Sequence, residues 1–262
     1  MKNIRSLLNG LVPCAVALAM ATTLTAQTVT QVKAKVVRIK GYARFSTGNN
    51  VWQNLKVGET LRAGTIIQTS LEKGSFVDLV LGEPNTIAAG PAMTKRVAYQ
   101  PAGTQNIVRL WENTLMGVDK LTAMDSGAGE VTETELDLKA GRLLGSVKKL
   151  TAGSKYQIKL PNGMAGIRGT VFSIGADGSC KVSSGAVVIA LVAADGSVTP
   201  QEIRAGQGFD PRGEPGSQMT PLPPSEIDIM GKLTKDIITG IGSAPVTFPL
   251  DPTIHTISIS PH

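Results

Sequence analysis

Histidine, cysteine and clustered carboxylates supply most catalytic and metal-binding side chains, and this chain brings few of them together. Both histidines, His255 and His262, lie at the C-terminal end of the sequence. A catalytic triad in the rest of the chain would therefore have no histidine base. The cysteines are Cys14 and Cys180, and only Cys180 lies outside the N-terminal apolar segment, so a structural zinc site lacks its ligands. We expect no catalytic, metal-binding or cofactor-binding residues, and no enzyme activity.

Glu133, Glu135 and Asp137 are the most closely grouped carboxylates, and they occupy alternate positions of segment 131–138, in which apolar and polar residues alternate. Alternation with a period of two predicts a half-buried strand whose polar side chains face water. The three carboxylates then share one face. A solvated strand face is the favoured interpretation, and a weak cation site is the alternative.

The N-terminus has the pattern of a secretory signal peptide. Lys2 and Arg5 precede an apolar segment at positions 7–24, and Ala26 supplies a small residue for cleavage. We predict a signal peptide over residues 1–26 and an exported bacterial protein, periplasmic or extracellular. A retained membrane anchor is the alternative, because about 18 apolar residues are close to the minimum for a span.

Removal of this leader has consequences for charge and cross-linking. The net charge falls from +6 to about +4, which is too mild and dispersed to form a basic stripe for nucleic acid. Cys180 alone cannot form an intrachain disulfide. Cys14 follows Pro13 where a lipoprotein box needs a small residue, so lipidation is not expected. We expect no membrane span in the mature chain and no nucleic-acid partner.

Residues 27–210 are predicted to form an all-β domain. Short strand-like segments alternate with turn residues at spacings of about 8–12 residues, which is typical of a β-sandwich or roll. A β-solenoid-like variant is an alternative. The apolar segment 186–192 predicts a central strand, and the Pro- and Gly-rich segment 83–106 predicts a long surface excursion.

A short pattern of a large apolar residue, a base, a small residue and glycine recurs in this domain. A glycine at a strand end can adopt backbone angles that other residues avoid, so the pattern predicts several similarly built corners of one sheet system. The pattern occurs at residues 55–58, 61–64, 138–141 and 203–206.

The composition changes after the predicted β domain. Prolines and glycines dominate residues 211–224 and predict an extended linker. Apolar residues at helical spacing then predict a short amphipathic helix over residues 225–241, with Ser225 and Asp228 as a capping box. We expect the helix to pack on the β domain; a docking element for a partner is the alternative. Residues 242–262 are predicted to be an edge strand or a loose tail.

Segment 156–174 contains the most characteristic motif of the chain. Its first half indicates two strands joined by a Pro-Asn-Gly turn, and Arg168-Gly169-Thr170-Val-Phe172 then restarts an alternating strand. This motif resembles the signature of the FecR domain, the extracytoplasmic sensor module of bacterial iron-uptake regulators.

The resemblance extends over about residues 33–209. Residues 52–58 are similar to the pattern at the start of the family's domain, and residues 205–207 resemble the pattern at its end. Residues 83–130 depart from the family because they are longer than its usual middle. The iron regulators carry a sigma-factor-binding segment before one membrane helix. Only about six residues precede the apolar segment here, so we do not expect this chain to hold a sigma factor.

The resemblance implies a non-catalytic exported module that binds another envelope protein, in extracytoplasmic signalling or in envelope architecture. Gly166, Gly169, Thr170 and Phe172 are expected to be structural, because the glycines permit close backbone approach or a bulge and Phe172 joins the core. Arg168 is expected to bond strand-end carbonyls or, alternatively, to contact the partner directly.

A carbohydrate- or cell-wall-binding module is the alternative function. All-β exported domains often bind glycans, and Trp52 and Trp111 could act as stacking platforms. Aromatic residues make up only 4% of the chain, however, and Trp52 falls within the family's packing pattern. The protein-interaction module is therefore favoured.

Overall fold

The structure is a computed structural model, and it describes residues 29–83, 106–127, 129–193, 195–214 and 216–243. The predicted signal peptide, most of the predicted excursion and the tail beyond residue 243 lie outside the described residues.

Two β-sheets and one C-terminal helix make up the described part of the chain, as the strand and turn pattern predicts. The helix, α1, spans Pro224–Ser243. The strands are β1 (Val29–Gln31), β2 (Lys33–Lys40), β3 (Ala43–Ser46), β4 (Gln53–Asn54), β5 (Thr60–Leu61), β6 (Thr65–Thr69), β7 (Phe76–Glu83), β8 (Asn106–Trp111), β9 (Leu115–Asp125), β10 (Glu130–Ala140), β11 (Arg142–Ser146), β12 (Lys155–Leu160), β13 (Gly163–Ile167), β14 (Val171–Gly175), β15 (Cys180–Ser184), β16 (Ala186–Val192), β17 (Val198–Arg204), β18 (Gln207–Phe209) and β19 (Met219–Pro221).

The two sheets pack face to face as a β-sandwich. Sheet A has the strand order β17-β16-β13-β12-β10-β9-β6-β3-β4, with β1 paired to β9. Sheet B has the order β19-β18-β15-β14-β11-β8-β7-β2-β5. Strands β10 and β12 run parallel, because β11 lies in sheet B between them and provides the crossover that parallel neighbours need.

The chain crosses between the sheets many times, and the recurring glycine pattern marks four of these crossings. Gly58, Gly64, Gly141 and Gly206 each lie between strands of different sheets, with φ angles of +91°, +88°, +78° and +80°. At Gly141 space is limiting as well, since a Cβ would lie 2.6 Å from the Cα of Thr114. The prediction of similarly built corners is confirmed, and the reason is the positive φ that glycine tolerates.

The core between the sheets consists mainly of aliphatic side chains. Ile67 and Leu136 from sheet A and Leu79 and Leu110 from sheet B are fully buried there. Cys180 is buried in the same core, and burial raises the pKa of its thiol to about 12. The thiol is therefore protonated at neutral pH, which makes it a poor nucleophile.

Three local predictions are wrong. Segment 186–192 (β16) is next to the edge strand β17 rather than central, and Val188 on its outer face is 45% exposed. The predicted linker 211–224 contains β19, which pairs with β18 and extends sheet B. The helix begins at Pro224, whose fixed φ suits the first helical position, so Ser225 lies within the first turn and is not the cap.

Helix α1 packs on the outer face of sheet B, and the predicted docking of an amphipathic helix is confirmed. Met230 and Ile237 are buried in a second apolar cluster with Val80 and Ile107 of the sheet. Within the residues described, no helix is long and apolar enough to cross a membrane.

Four charged side chains form a network beneath the helix. Asp78 on β7 is fully buried and accepts two hydrogen bonds from Arg109 on β8, of 2.6 and 2.8 Å. Asp236 on the helix accepts hydrogen bonds from Arg109 at 2.8 Å and from Arg38 on β2 at 2.7 Å. Arg38 also donates to Asp78 at 2.9 Å. The negative charges of the two carboxylates balance the positive charges of the two guanidinium groups, which avoids the cost of an uncompensated buried charge.

The guanidinium groups change the acidity of the helix carboxylate. The hydrogen bond from Arg38, and to a smaller extent that from Arg109, lowers the pKa of Asp236 to about 2. The pKa of an aspartate in an unfolded chain is about 3.9, so folding lowers the pKa of Asp236. The ionised carboxylate therefore stabilises the docked helix at neutral pH.

The lowered pKa of Asp236 predicts a pH-dependent contribution to stability. The contribution is fully present above about pH 4 and is lost as the pH falls toward about 2. Asp236→Asn should lower the melting temperature at neutral pH, and its difference from wild type should shrink between about pH 4 and pH 2. Asp228→Asn is the matched control, because Asp228 is an exposed acid of the same helix paired with Lys232, and it should have little effect. A difference for Asp236→Asn that stays constant with pH would contradict this assignment.

The burial of Asp78 predicts that its two arginine partners are not equivalent. Arg109→Met should lower the free energy of unfolding by about 3–5 kcal/mol, because a fully buried carboxylate loses its two shortest hydrogen bonds. Arg38→Met should cost about 1 kcal/mol or less, because the Arg38 side chain is 30% exposed and Arg109 still binds Asp78. Urea denaturation of the two variants makes the comparison. Equal losses would show that Asp78 does not depend mainly on Arg109.

Candidate interaction site

The signature corner, residues 168–170, is a crossing from sheet A to sheet B. Strand β13 ends at Ile167 and β14 begins at Val171. The backbone of Thr170 exchanges two hydrogen bonds with the backbone of Val147, of 2.9 and 3.1 Å. Val147 follows β11, where the chain crosses back from sheet B to sheet A. Two neighbouring crossings therefore hold each other in place.

Gly169 is required both by its backbone angle and by its surroundings. Its φ is +67°, and an added Cβ would lie 3.2 Å from the Cα of Lys149. Thr170 beside it is buried, and its hydroxyl donates a 2.8 Å hydrogen bond to the carbonyl of Ala186. The corner is thus fixed by contacts with the chain on both sides of it.

The remaining signature residues differ in their surroundings. Phe172 is fully buried, and its ring lies where a side chain at Gly145 would have to be, with Cζ 2.5 Å from an added Cβ. Gly166 does not fit the expected close backbone approach. A Cβ there would be 4.0 Å from the nearest atom, the carbonyl oxygen of Val188, because Gly166 lies on the open outer face of sheet A.

Arg168 is the one residue of the signature corner whose side chain is exposed to solvent. It makes no hydrogen bond or ion pair with any residue that the structure describes, so the expected bonds to strand-end carbonyls are not seen there. Lys149, whose backbone packs against Gly169, is also exposed and unpaired within the described residues. The rigid corner thus presents two cations to solvent.

A shallow depression adjoins the corner on the side of Lys149. It has a volume of about 270 Å³ and is lined by Lys148, Thr151, Ser154 and other mostly polar residues. Lys148 forms an ion pair with Glu130 at 3.3 Å across it. Small-molecule pockets are usually enclosed, apolar and roughly 300–1,000 Å³. The depression therefore suits contact with a macromolecule better than capture of a small ligand.

The carboxylates on β10 are paired with lysines. Glu133 binds Lys120 at 2.7 Å, and Glu135 binds Lys159, whose pKa is raised by that hydrogen bond. Over the described ranges, no three histidine, cysteine, aspartate or glutamate side chains are grouped so as to hold a metal ion. This arrangement agrees with a solvated strand face and gives no support to a cation site.

The two tryptophans have different surroundings, and Trp52, which the resemblance places in a packing pattern, is the more exposed of them. Trp111 is half-buried, meets the ring of Phe76 edge to face at 6.4 Å, and lies 5.4 Å from the guanidinium groups of both Arg109 and Arg142. Trp52 is 37% exposed on the outer face of sheet A. Trp111 is therefore occupied by contacts within the protein. Trp52 also has a guanidinium group, that of Arg44, 4.7 Å from its ring centre, but it is the more exposed of the two tryptophans.

Neither Lys149 nor the ion network belongs to a motif that the sequence predicts to be functional. Lys149 belongs to a basic doublet that gave no indication of its place in the fold. Asp78 and Arg109 did carry a signal, because each is a charge with apolar residues on both sides of it in a strand, and opposite charges in such positions often pair when buried.

Residues 96–188 match the family model described as FecR protein. This segment is similar to a FecR domain. The match includes the signature corner and ends within β16, so it is narrower than the span of residues 33–209 that the sequence motifs suggested. It also includes β8 and β9, which lie in the region that was expected to depart from the family. No curated protein matches this chain.

The FecR family is a regulatory, signalling-related family whose members interact with other proteins and are associated with the cell envelope. Strands before and after the matched segment, from β2 to β7 and from β17 to β19, are built into the same two sheets as the FecR domain. The matched segment is therefore one part of a larger sandwich.

The geometry of the corner predicts a contrast between two signature glycines. Gly169→Val should lower the free energy of unfolding by about 1–3 kcal/mol, because it forces a β-branched side chain to a positive φ and against Lys149. Gly166→Val is the matched control and should change stability by about 0.5 kcal/mol or less, because its Cβ has room in an extended strand. Thermal and urea denaturation measure both. A Gly169→Val protein as stable as wild type would refute the structural role of this corner.

Proposed function

We propose that this protein is an exported, non-catalytic interaction module that binds another envelope protein through the signature corner, with Arg168 as a direct contact. The observation on which the proposal rests is the exposure of Arg168 on a corner whose neighbouring residues, Gly169 and Thr170, are held by the fold. An exposed arginine on a well-held backbone, with no partner among the described residues, is suited to recognise a carboxylate on another molecule.

The surrounding charges support an acidic partner surface. Lys149 lies beside Arg168 and is likewise unpaired among the described residues, while Lys148 is already bound to Glu130. These two exposed cations would attract carboxylates during encounter and fix the orientation of the complex. Arginine is also among the residue types that most often dominate the energy of protein interfaces.

Export and the lack of catalysis belong to the same proposal. The leader over residues 1–26 supports export, and the envelope association of FecR-like proteins is in keeping with it. The absence of histidine outside the C-terminal end supports a non-catalytic role. Signalling and envelope architecture both remain compatible with such a module.

Arg168→Ala tests the proposal. The free energy of unfolding of the variant should lie within about 0.5 kcal/mol of wild type, because an exposed side chain contributes little to folding. The variant should bind the partner at least about tenfold more weakly than wild type. A photo-cross-linking amino acid at position 168 would identify the partner in envelope fractions, and the affinity of the purified pair would then be measured.

Arg62→Ala is the matched control for this experiment. Arg62 is an exposed base at another crossing, between β5 and β6, which carries the recurring pattern of an apolar residue, a base, a small residue and glycine. Its loss should change neither melting temperature nor binding. An Arg168→Ala protein that binds the partner like wild type, or that loses stability along with binding, would contradict a direct contact.

A further inference from the structure

Exposed aromatic side chains are concentrated on one small surface. Among the described residues, only Tyr42 and Trp52 are exposed aromatics, at 52% and 37%. Both lie on the outer face of sheet A, on the hairpin formed by β3 and β4. Aromatic side chains contribute much of the binding energy at interfaces and ligand sites, so two exposed rings on one hairpin mark a candidate binding surface.

The polar side chains between the two rings are held in fixed positions. Arg44 on β3 donates a 2.8 Å hydrogen bond to the side-chain oxygen of Gln68 on β6, and its guanidinium group lies 4.7 Å from the ring centre of Trp52. The hydroxyl of Tyr42 donates a 2.6 Å hydrogen bond to the side-chain oxygen of Asn54 on β4. We call these five residues the aromatic platform.

The strand register places the polar side chains of the platform side by side. Arg44 is opposite Asn54 on one side and opposite Gln68 on the other, so the three polar side chains form a row across the sheet. Alternation places Tyr42 on the same face of β3 as Arg44. Trp52 lies on the other side of the row along the strand direction, so one aromatic residue flanks each side of the row.

The five residues of the platform cover an area large enough for an oligomeric small ligand. Four residues along a strand and two strand spacings give a footprint of about 13 by 10 Å, or roughly 130 Å². A stable protein interface buries about 800 Å² on each partner. Strand β4 has only two residues, which is too short an edge to pair with a strand of another chain.

We propose that the aromatic platform is a glycan-binding site. The ring faces of Tyr42 and Trp52 would stack on the apolar C–H faces of sugar rings, since aromatic side chains combine an apolar body with a polar rim. Arg44 would donate hydrogen bonds to sugar hydroxyl groups, and the amides of Asn54 and Gln68 would both donate and accept them. The site lies apart from the signature corner and does not depend on the proposed function.

Calorimetric titration of the full mature chain tests the site. The probes are soluble peptidoglycan fragments, N-acetylglucosamine oligomers and cellohexaose. We expect saturable binding of at least one probe, and Trp52→Ala and Tyr42→Ala should each weaken it about tenfold, the effect of one lost aromatic contact. Tyr42→Phe keeps the ring and should weaken binding less. Melting temperatures of the variants show that each is folded.

Two control variants separate this site from other features. Trp111→Phe removes the tryptophan that is occupied within the protein, and Arg168→Ala removes the proposed protein contact; neither should alter glycan binding. No saturable binding of any of the three probes, or unchanged binding by Trp52→Ala, would overturn the proposal. A cross-link from position 52 to an envelope protein, without glycan binding, would likewise overturn it and show a protein interface instead.

Discussion

The structure depends on a backbone constraint: the chain crosses repeatedly between two sheets, and each crossing requires angles and clearances that most side chains resist. Gly58, Gly64, Gly141 and Gly206 satisfy this requirement with positive φ angles. The signature corner is another such crossing. Gly169 has the positive φ there, and the backbone of Thr170 forms hydrogen bonds with the neighbouring crossing at Val147. Most of the motif that identifies the FecR domain is thereby explained by the geometry of sheet exchange.

The C-terminal helix is attached by a second kind of interaction. Met230 and Ile237 contribute buried apolar area to the contact. Asp236 contributes to the placement of the helix, because its carboxylate accepts hydrogen bonds from both Arg38 and Arg109. A buried ion network adds little net stability but penalises every arrangement in which one charge is left alone. The network therefore specifies where the helix docks more than it strengthens the docking.

The same sandwich presents two chemically different surfaces. The signature corner offers exposed cations on a backbone that cannot easily move, which suits recognition of an acidic surface. The aromatic platform offers two rings separated by a row of polar groups, which suits an amphipathic ligand. Both surfaces are built on strands and on their crossings, so their side chains are positioned before any partner arrives and less entropy is lost on binding.

The sequence by itself determined the all-β class, the glycine corners and the C-terminal helix, because alternation, helical spacing and glycine conformation are local properties. Local patterns could not show that residues 219–221 join sheet B or that β16 lies beside an edge, since both depend on which distant strands pair. Only the tertiary structure decided that Trp52 is exposed while Trp111 is occupied. It also decided that Asp78, Arg109 and Asp236 meet, because Arg109 lies 31 positions from Asp78 and 127 from Asp236, and long-range packing alone brings them together.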